Sequence, residues 1–315
     1  MTVRVSLQPP ALERFLAALD IGVANFTMCD IRDGWSAQFD ACATVSLHYC
    51  MEGKGTLVTQ TDDRIPMDLH SFVLLPPGTA YAIESNCSSP NIKMCHGSPI
   101  GWPSRETVPT IAAGDGAVGI ATACGELQIG AIHGIDPFSM MRRPLTARFD
   151  GQSDLKSQFV MLLAESARPG LGSRALVEAL LKQCLIMVMR RQIEAGGTEL
   201  PWAAGFADKR LAEALDAILE RSASPWTVER LADIAGMSRS AFAAQFKKAF
   251  GQSPMSMLKQ VRLRKAAELL ATTTLPVAGV ARMVGFASRS NFSQAFHALH
   301  GRDPTAFRRR PSARE

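Results

Sequence analysis

Arg289, Ser290, Asn291, Ser293 and Gln294 stand together in the stretch SRSNFSQAF. An Arg fork pairs bidentately with guanine, and Asn or Gln amides pair with adenine, so this set could read base edges in a DNA major groove. About fifty positions earlier the chain writes nearly the same phrase, SRSAFAAQF, with Arg239, Ser240, Ala243 and Ala244 in the outward places. That set is poorer. Arg239 and Ser240 can hydrogen-bond, whereas the alanines offer only contact with a thymine methyl. Lys247, Lys248, Lys259, Arg262, Arg264 and Lys265 lie close by and could hold phosphates, which add salt-dependent affinity without reading sequence.

Groove reading needs these side chains on one face of a helix, so the neighbouring residues must build that helix. Both copies carry the same framework. Gly236 matches Gly285, Phe242 matches Phe292, Phe246 matches Phe296, Gly251 matches Gly301 and Pro254 matches Pro304. In the first copy, Thr227 can cap a helix over TVERLADIA, Gly236-Met237 makes a turn, Ser238 caps a second helix and Gly251 closes it. Phe242, Phe246 and Phe250 then fall on one buried face. In the second copy, Val277 to Val284 is the first helix, Gly285-Phe286 the turn, and Ser288 the cap of a helix burying Phe292 and Phe296. A long helix from Pro254 to Ala271 separates the two. Helix, glycine turn and capped helix is the helix-turn-helix arrangement, whose second helix can enter the major groove. Shared apolar residues repeat the fold, while differing polar residues imply two half-sites of different sequence.

Charge is divided along the chain. Residues 208–315 hold 18 Lys/Arg and 9 Asp/Glu, a net of +9, and the remainder nets −4. A basic third on an acidic remainder points to a polyanion partner, against the plainer alternative of a solvated basic surface. Residues 1–20 read as an amphipathic helix with Leu12, Phe15, Leu16 and Leu19 on one face. From about 21 to 135, short apolar runs alternate with Gly, Pro, Asn and Asp, the rhythm of a β-sandwich or barrel. Pro76-Pro77-Gly78 is a turn, and Ser88 to Pro109 is expected as an irregular loop. Helical periodicity returns from about 153, with a wide apolar stripe over Arg174 to Glu194. The expected architecture is α+β in two domains: 1–195, a linker over 196–207, and an all-α double helix-turn-helix over 208–310. No apolar run reaches the ~18 residues of a membrane span. Residues 1–20 carry Arg4, Glu13, Arg14 and Asp20 where a signal peptide would be apolar. The expected compartment is the reducing cytoplasm, with seven free thiols.

Residues 208–310, and above all GFASRSNFSQAFHALHGRDPTAFR, resemble the DNA-binding domain of AraC/XylS-type transcription regulators. The resemblance implies seven helices and two recognition helices entering successive major grooves of double-stranded DNA. His297 and His300 depart from the basic and aromatic residues more usual there. The β-rich half resembles the cupin-like sensor domain of the same regulators, a barrel or sandwich with accessory helices. A full cupin metal centre is not written: no HxH follows His48, and Tyr81 stands where related domains carry His. That counts against a cupin-type enzyme.

Cys29 before Asp33-Gly34-Trp35, Cys124 before Gly125, and His48 in LHYCMEG resemble the branch of these regulators that responds to reactive chlorine. The resemblance implies sensing thiols at Cys29 and Cys124, with His48 beside them. Thiolates are nucleophiles toward oxidants, and two Cys with one His would also suit Cu(I). Cys42, Cys50, Cys87, Cys95 and Cys184 read as small buried hydrophobes. The alternative is a small organic effector in a cup lined by Trp35, His48 and Tyr81. Beyond DNA, the expected partner is a second copy of the chain, with RNA polymerase a further candidate.

Overall fold

In the computed structural model the described residues are 10–85, 91–95, 110–130, 132, 135–149, 154–168, 170–196 and 199–308. They form two compact units, one from residues 19–130 and 136–200 and the other from the described parts of 1–18, 131–135 and 201–315.

The first unit is a pair of facing open sheets. One sheet has the order β11 (Leu145–Arg148), β6 (Ser71–Leu75), β3 (Val45–Gly53), β10 (Val118–Ile129), β1 (Ile21–Arg32) and β9 (Thr110–Ala113). The other runs β5 (Arg64–Met67), β4 (Gly55–Thr59), β7 (Tyr81–Ser85), β2 (Trp35–Phe39) and β8 (Asn91–Cys95). Of the two expected architectures, barrel and sandwich, the described strands form the sandwich. β8 falls inside the stretch expected as an irregular loop, where it pairs in parallel with β2; residues 86–90 and 96–109 around it, Cys87 included, lie outside the described residues. Between the sheets, Ile31, Val73, Leu75 and Ile120 meet Ala37, Leu57 and Ile83. The other face of the larger sheet is covered by α2 (Asp154–Ala167) and α3 (Ser173–Glu194), where Phe159 stacks on Tyr49 at 4.0 Å between ring centroids. Burial on both faces explains why Val45 to Cys50 is buried at every position rather than alternately.

The second unit contains α1 (Pro10–Ala17) and α4 (Pro201–Ala207), followed by seven helices, the number the family resemblance implied: α5 (Lys209–Glu220), α6 (Val228–Ile234), α7 (Arg239–Phe250), α8 (Pro254–Thr272), α9 (Val277–Met283), α10 (Arg289–His300) and α11 (Pro304–Arg308). The stretch expected as linker is therefore helical from residue 201, because Trp202 and Phe206 are buried. α1 groups with this unit rather than with the β-rich one. Its Phe15 meets Trp202 and Phe206, Phe206 meets Phe250, and Phe250 continues through Phe246 to Phe242, with centroids 4.7–5.6 Å apart along this chain of rings. Arg14 of α1 adds ion pairs to Glu220 and Asp216. Amphipathic periodicity announces such a helix but does not name the surface it covers.

The two helix-turn-helix turns place different demands on glycine. Gly236 has φ +60°, and a Cβ there would meet nothing within 4 Å. Gly285 has φ +88°, and a Cβ would lie 2.6 Å from the Ala223 carbonyl oxygen. Gly236→Ala is expected to cost about 1–2 kcal/mol, the left-handed backbone alone. Gly285→Ala should cost clearly more, because backbone must also move. Chemical denaturation of the two variants checks the order.

Candidate nucleic-acid interface and candidate sensing site

Local capping sets both candidate reading helices. The Ser238 hydroxyl accepts from the Ala241 N–H at the start of α7, and Ser288 accepts from Asn291 N–H at the start of α10. Gly251 and Gly301 close these helices in the left-handed conformation. Phe242 and Phe246, and likewise Phe292 and Phe296, are fully buried. Their burial turns Arg239, Ser240, Ala244, Arg289, Ser290, Asn291 and Gln294 to the surface, while Ala243 and Ser293, at matching positions, are half-buried. Gln245 is also exposed on α7 and was missed, although it lies between Ala244 and the buried Phe246.

The six expected phosphate contacts divide. Lys247, Lys248 and Lys259 are exposed. Arg262 instead donates to the carbonyls of Ser222 and Ser224, at 2.7 Å each, and Lys265 donates to the Leu219 carbonyl and the Ser222 hydroxyl at 2.9 Å. These two cations serve the carbonyl groups at and beyond the C-terminal end of α5, where positive charge is favoured. Arg264 is half-buried. Spacing alone does not distinguish a cation facing solvent from one facing the end of another helix. Lys248→Ala is expected to lower the slope of log affinity against log salt by about 1 and leave unfolding unchanged. Arg262→Ala should lower stability by about 1 kcal/mol or more, since it leaves two carbonyls without their donor. Binding titrations over a salt series and thermal unfolding separate the two.

His300, one of the two departures from the family pattern, sits between Phe296 at 4.3 Å and Phe307 at 5.3 Å. Its Nε2 is buried without a hydrogen-bond partner among the described residues. Burial, helped by the charge of Arg264 and opposed by a hydrogen bond with the Leu263 backbone, holds its pKa below the ordinary 6.5. A folded pKa below the unfolded one means that the unfolded chain takes up the proton first. Stability should therefore be full above pH 6.5 and fall as the pH drops below it. His300→Phe should flatten this dependence in unfolding measured between pH 7 and pH 5.

The expected sensing residues come together. In the ladder register, Cys124 of β10 faces Thr27 on β1 and His48 on β3, and Cys29 faces Thr122. Cys29 and Cys124 are therefore diagonal neighbours, both buried in the core between the sheets. His48 Nδ1 lies 3.3 Å from Cys124 Sγ, its Nε2 lies 3.1 Å from Ser46 Oγ, and Thr122 Oγ1 is 3.3 Å from the same sulfur. A hydrogen bond from the Cys29 thiol, then the electrostatic pull of His48 and hydrogen bonds from His48 and Thr122, outweigh burial and hold Cys124 well below the usual thiol range. Burial acts unopposed enough elsewhere to push Cys50 and Cys184 up to about 12, as expected of structural thiols. The Tyr81 ring meets His48 edge-on at 4.5 Å and stacks on Phe39 at 4.8 Å.

No cluster of three or more His, Cys, Asp or Glu among the described residues could hold a metal ion. Cys124 and His48 lie at hydrogen-bond distance from each other. The expected effector cup is also changed. Tyr81 lines a cleft of about 330 Å³ together with Gln38, Phe39 and Gln60, but Trp35 and His48 do not. No described helix is long and apolar enough to cross a membrane.

Residues 231–310 match the family described as Helix-turn-helix domain, and residues 11–194, more than half of the chain, match the family described as Cupin. An uncharacterized HTH-type transcriptional regulator of Haemophilus influenzae is 34% identical over 149 residues, covering 47% of this chain and 50% of that protein. The RCS-specific HTH-type transcriptional activator RclR of Escherichia coli is 35% identical over 152 residues, covering 48% and 53%. The chain thus spans about half the length of the curated relatives it matches. Among solved structures, the DNA-binding domain of AdpA in complex with a target DNA is 34% identical, covers 31% of this chain and 87% of that one, and has a TM-score of 0.30. A cupin match over more than half the length, followed in the chain by two capped helix-turn-helix units, means that this protein belongs to the AraC-type transcription regulators with an N-terminal cupin domain.

Proposed function

We propose that this protein is a DNA-binding transcription regulator whose sandwich senses an oxidant through Cys124 and Cys29, acting in the cytoplasm. The observation that carries this reading is the low-pKa Cys124 sulfur held by Cys29, His48 and Thr122. The similarity to a regulator described as RCS-specific supports it. With hypochlorous acid, the Cys124 thiolate attacks chlorine, forming an S–Cl bond and releasing hydroxide. The Cys29 sulfur then displaces chloride and gives up its proton to that hydroxide, leaving a disulfide, chloride and water. Two electrons pass from the sulfurs to chlorine.

The geometry also supplies a reason for a switch. Diagonal neighbours across an antiparallel pair lie about 7–8 Å apart, whereas a relaxed disulfide wants Cα atoms about 4.4–6.8 Å apart. Closing the bond must pull β1 and β10 out of register or toward each other. β1 is joined covalently to α1, which packs within the DNA-binding unit. Oxidation thereby changes the free energy of one conformation relative to another, which a signal must do to shift a population. Exposed Val160, Met161 and Leu176 on α2 and α3 offer an apolar face that supports a homodimer.

Cys29→Ser and Cys124→Ser are each expected to abolish the transcriptional response to hypochlorite while leaving DNA binding by the reduced protein intact. If both variants respond like the parent, the sensing proposal is wrong and the cleft beside Tyr81 becomes the place to look for an effector.

A further inference from the structure

Arg239 is the first residue of α7 and the strongest base-reading side chain of the first reader. In this structure it is not loose. Its Nε lies 2.9 Å from Glu229 Oε1 of α6, an ion pair. Glu229 stands in the first turn of α6, the helix that Thr227 caps by accepting from the Arg230 N–H.

The second copy lacks this device. The position matching Glu229 is Ala278, α9 has no acidic residue in its first turn, and Arg289 has no carboxylate partner among the described residues. Arg289 stands beside Asn291 and Gln294, which can share the reading, whereas α7 offers Ala241 and Ala244 at the corresponding places.

We infer that Glu229 is a specificity-determining positioning residue for the first reader, holding Arg239 by its Nε edge so that both terminal amino groups face a guanine. A guanidinium has five donors in a rigid plane. Occupying the Nε edge leaves the end-on pair free, the pair that spans guanine O6 and N7. Fixing the plane beforehand also lowers the ordering cost of binding a long side chain. Both partners are largely exposed, with side chains 70% and 54% accessible. The effect is therefore modest, of the size of an exposed ion pair. The inference rests on the DNA-binding reading.

Sites selected by the full-length reduced protein from a randomised duplex library, followed by binding titrations, test it. The parent should prefer guanine at one position of the first half-site, and Arg239→Ala should remove that preference. Glu229→Ala should weaken it about two- to fivefold, with the salt slope and the unfolding midpoint unchanged. Glu229→Gln, which keeps the side chain's size but removes the charge that pairs with Arg239, should weaken it about as much. Unaltered guanine preference in Glu229→Ala would overturn the inference. So would uniformly tighter binding to every sequence with a steeper salt slope, because Glu229 would then act only by neutralising Arg239. A lowered midpoint with the preference intact would show a purely structural role and overturn it as well. Absence of any DNA binding by the parent at low salt would reject the underlying reading instead.

Discussion

The β-rich half depends on one constraint, the position of β10 between β1 and β3. Antiparallel pairing on both sides gives Cys124 a diagonal thiol neighbour on one strand and a directly opposed imidazole on the other. None of the three residues is near the others in sequence. Once the ladders form, however, their side chains have no choice but to share one face of the sheet, since alternate residues point the same way. The interior position would ordinarily keep a thiol protonated, as it does at Cys50 and Cys184. At Cys124, hydrogen bonds and the His48 charge reverse that outcome. Cys50 and Cys124 stand on paired strands of one sheet, yet their neighbours push the two thiols in opposite directions.

The DNA-binding unit shows the same economy in another form. The repeated glycines, serine caps and phenylalanines build two similar helix pairs, and their burial decides which side chains are left outside. What differs lies on the surface and in the supports beneath it. α10 presents Asn291 and Gln294, whereas α7 presents Gln245 and Arg239, the latter paired with Glu229. Cations on α8 are divided between solvent and structure, with Arg262 and Lys265 tying the end of α5 and the loop after it to the long central helix.

Much of this was legible in the sequence wherever the signal is local. The caps Thr227, Ser238 and Ser288, the turn glycines and the spaced phenylalanines all act within a few residues, and each stands in its expected place. Partners distant in sequence were not legible. Periodicity identified α1 but not its packing against Trp202 and Phe206, and charge identified Arg262 and Lys265 but not their inward direction. β8 was hidden in a stretch rich in Pro, Gly and Ser, where composition outweighed five residues of strand. The family resemblance singled out Cys29, Cys124 and His48, but only the strand register brings them into contact.

The central claim is that its neighbours hold the pKa of Cys124 well below the ordinary thiol value. The most direct measurement is the pH dependence of its alkylation in the reduced protein, followed by peptide mass spectrometry with Cys29→Ser and His48→Gln for comparison. The account predicts a midpoint well below the ordinary thiol value of 9.0, rising toward it in both variants. A midpoint at or above 9.0 in the parent would contradict the account.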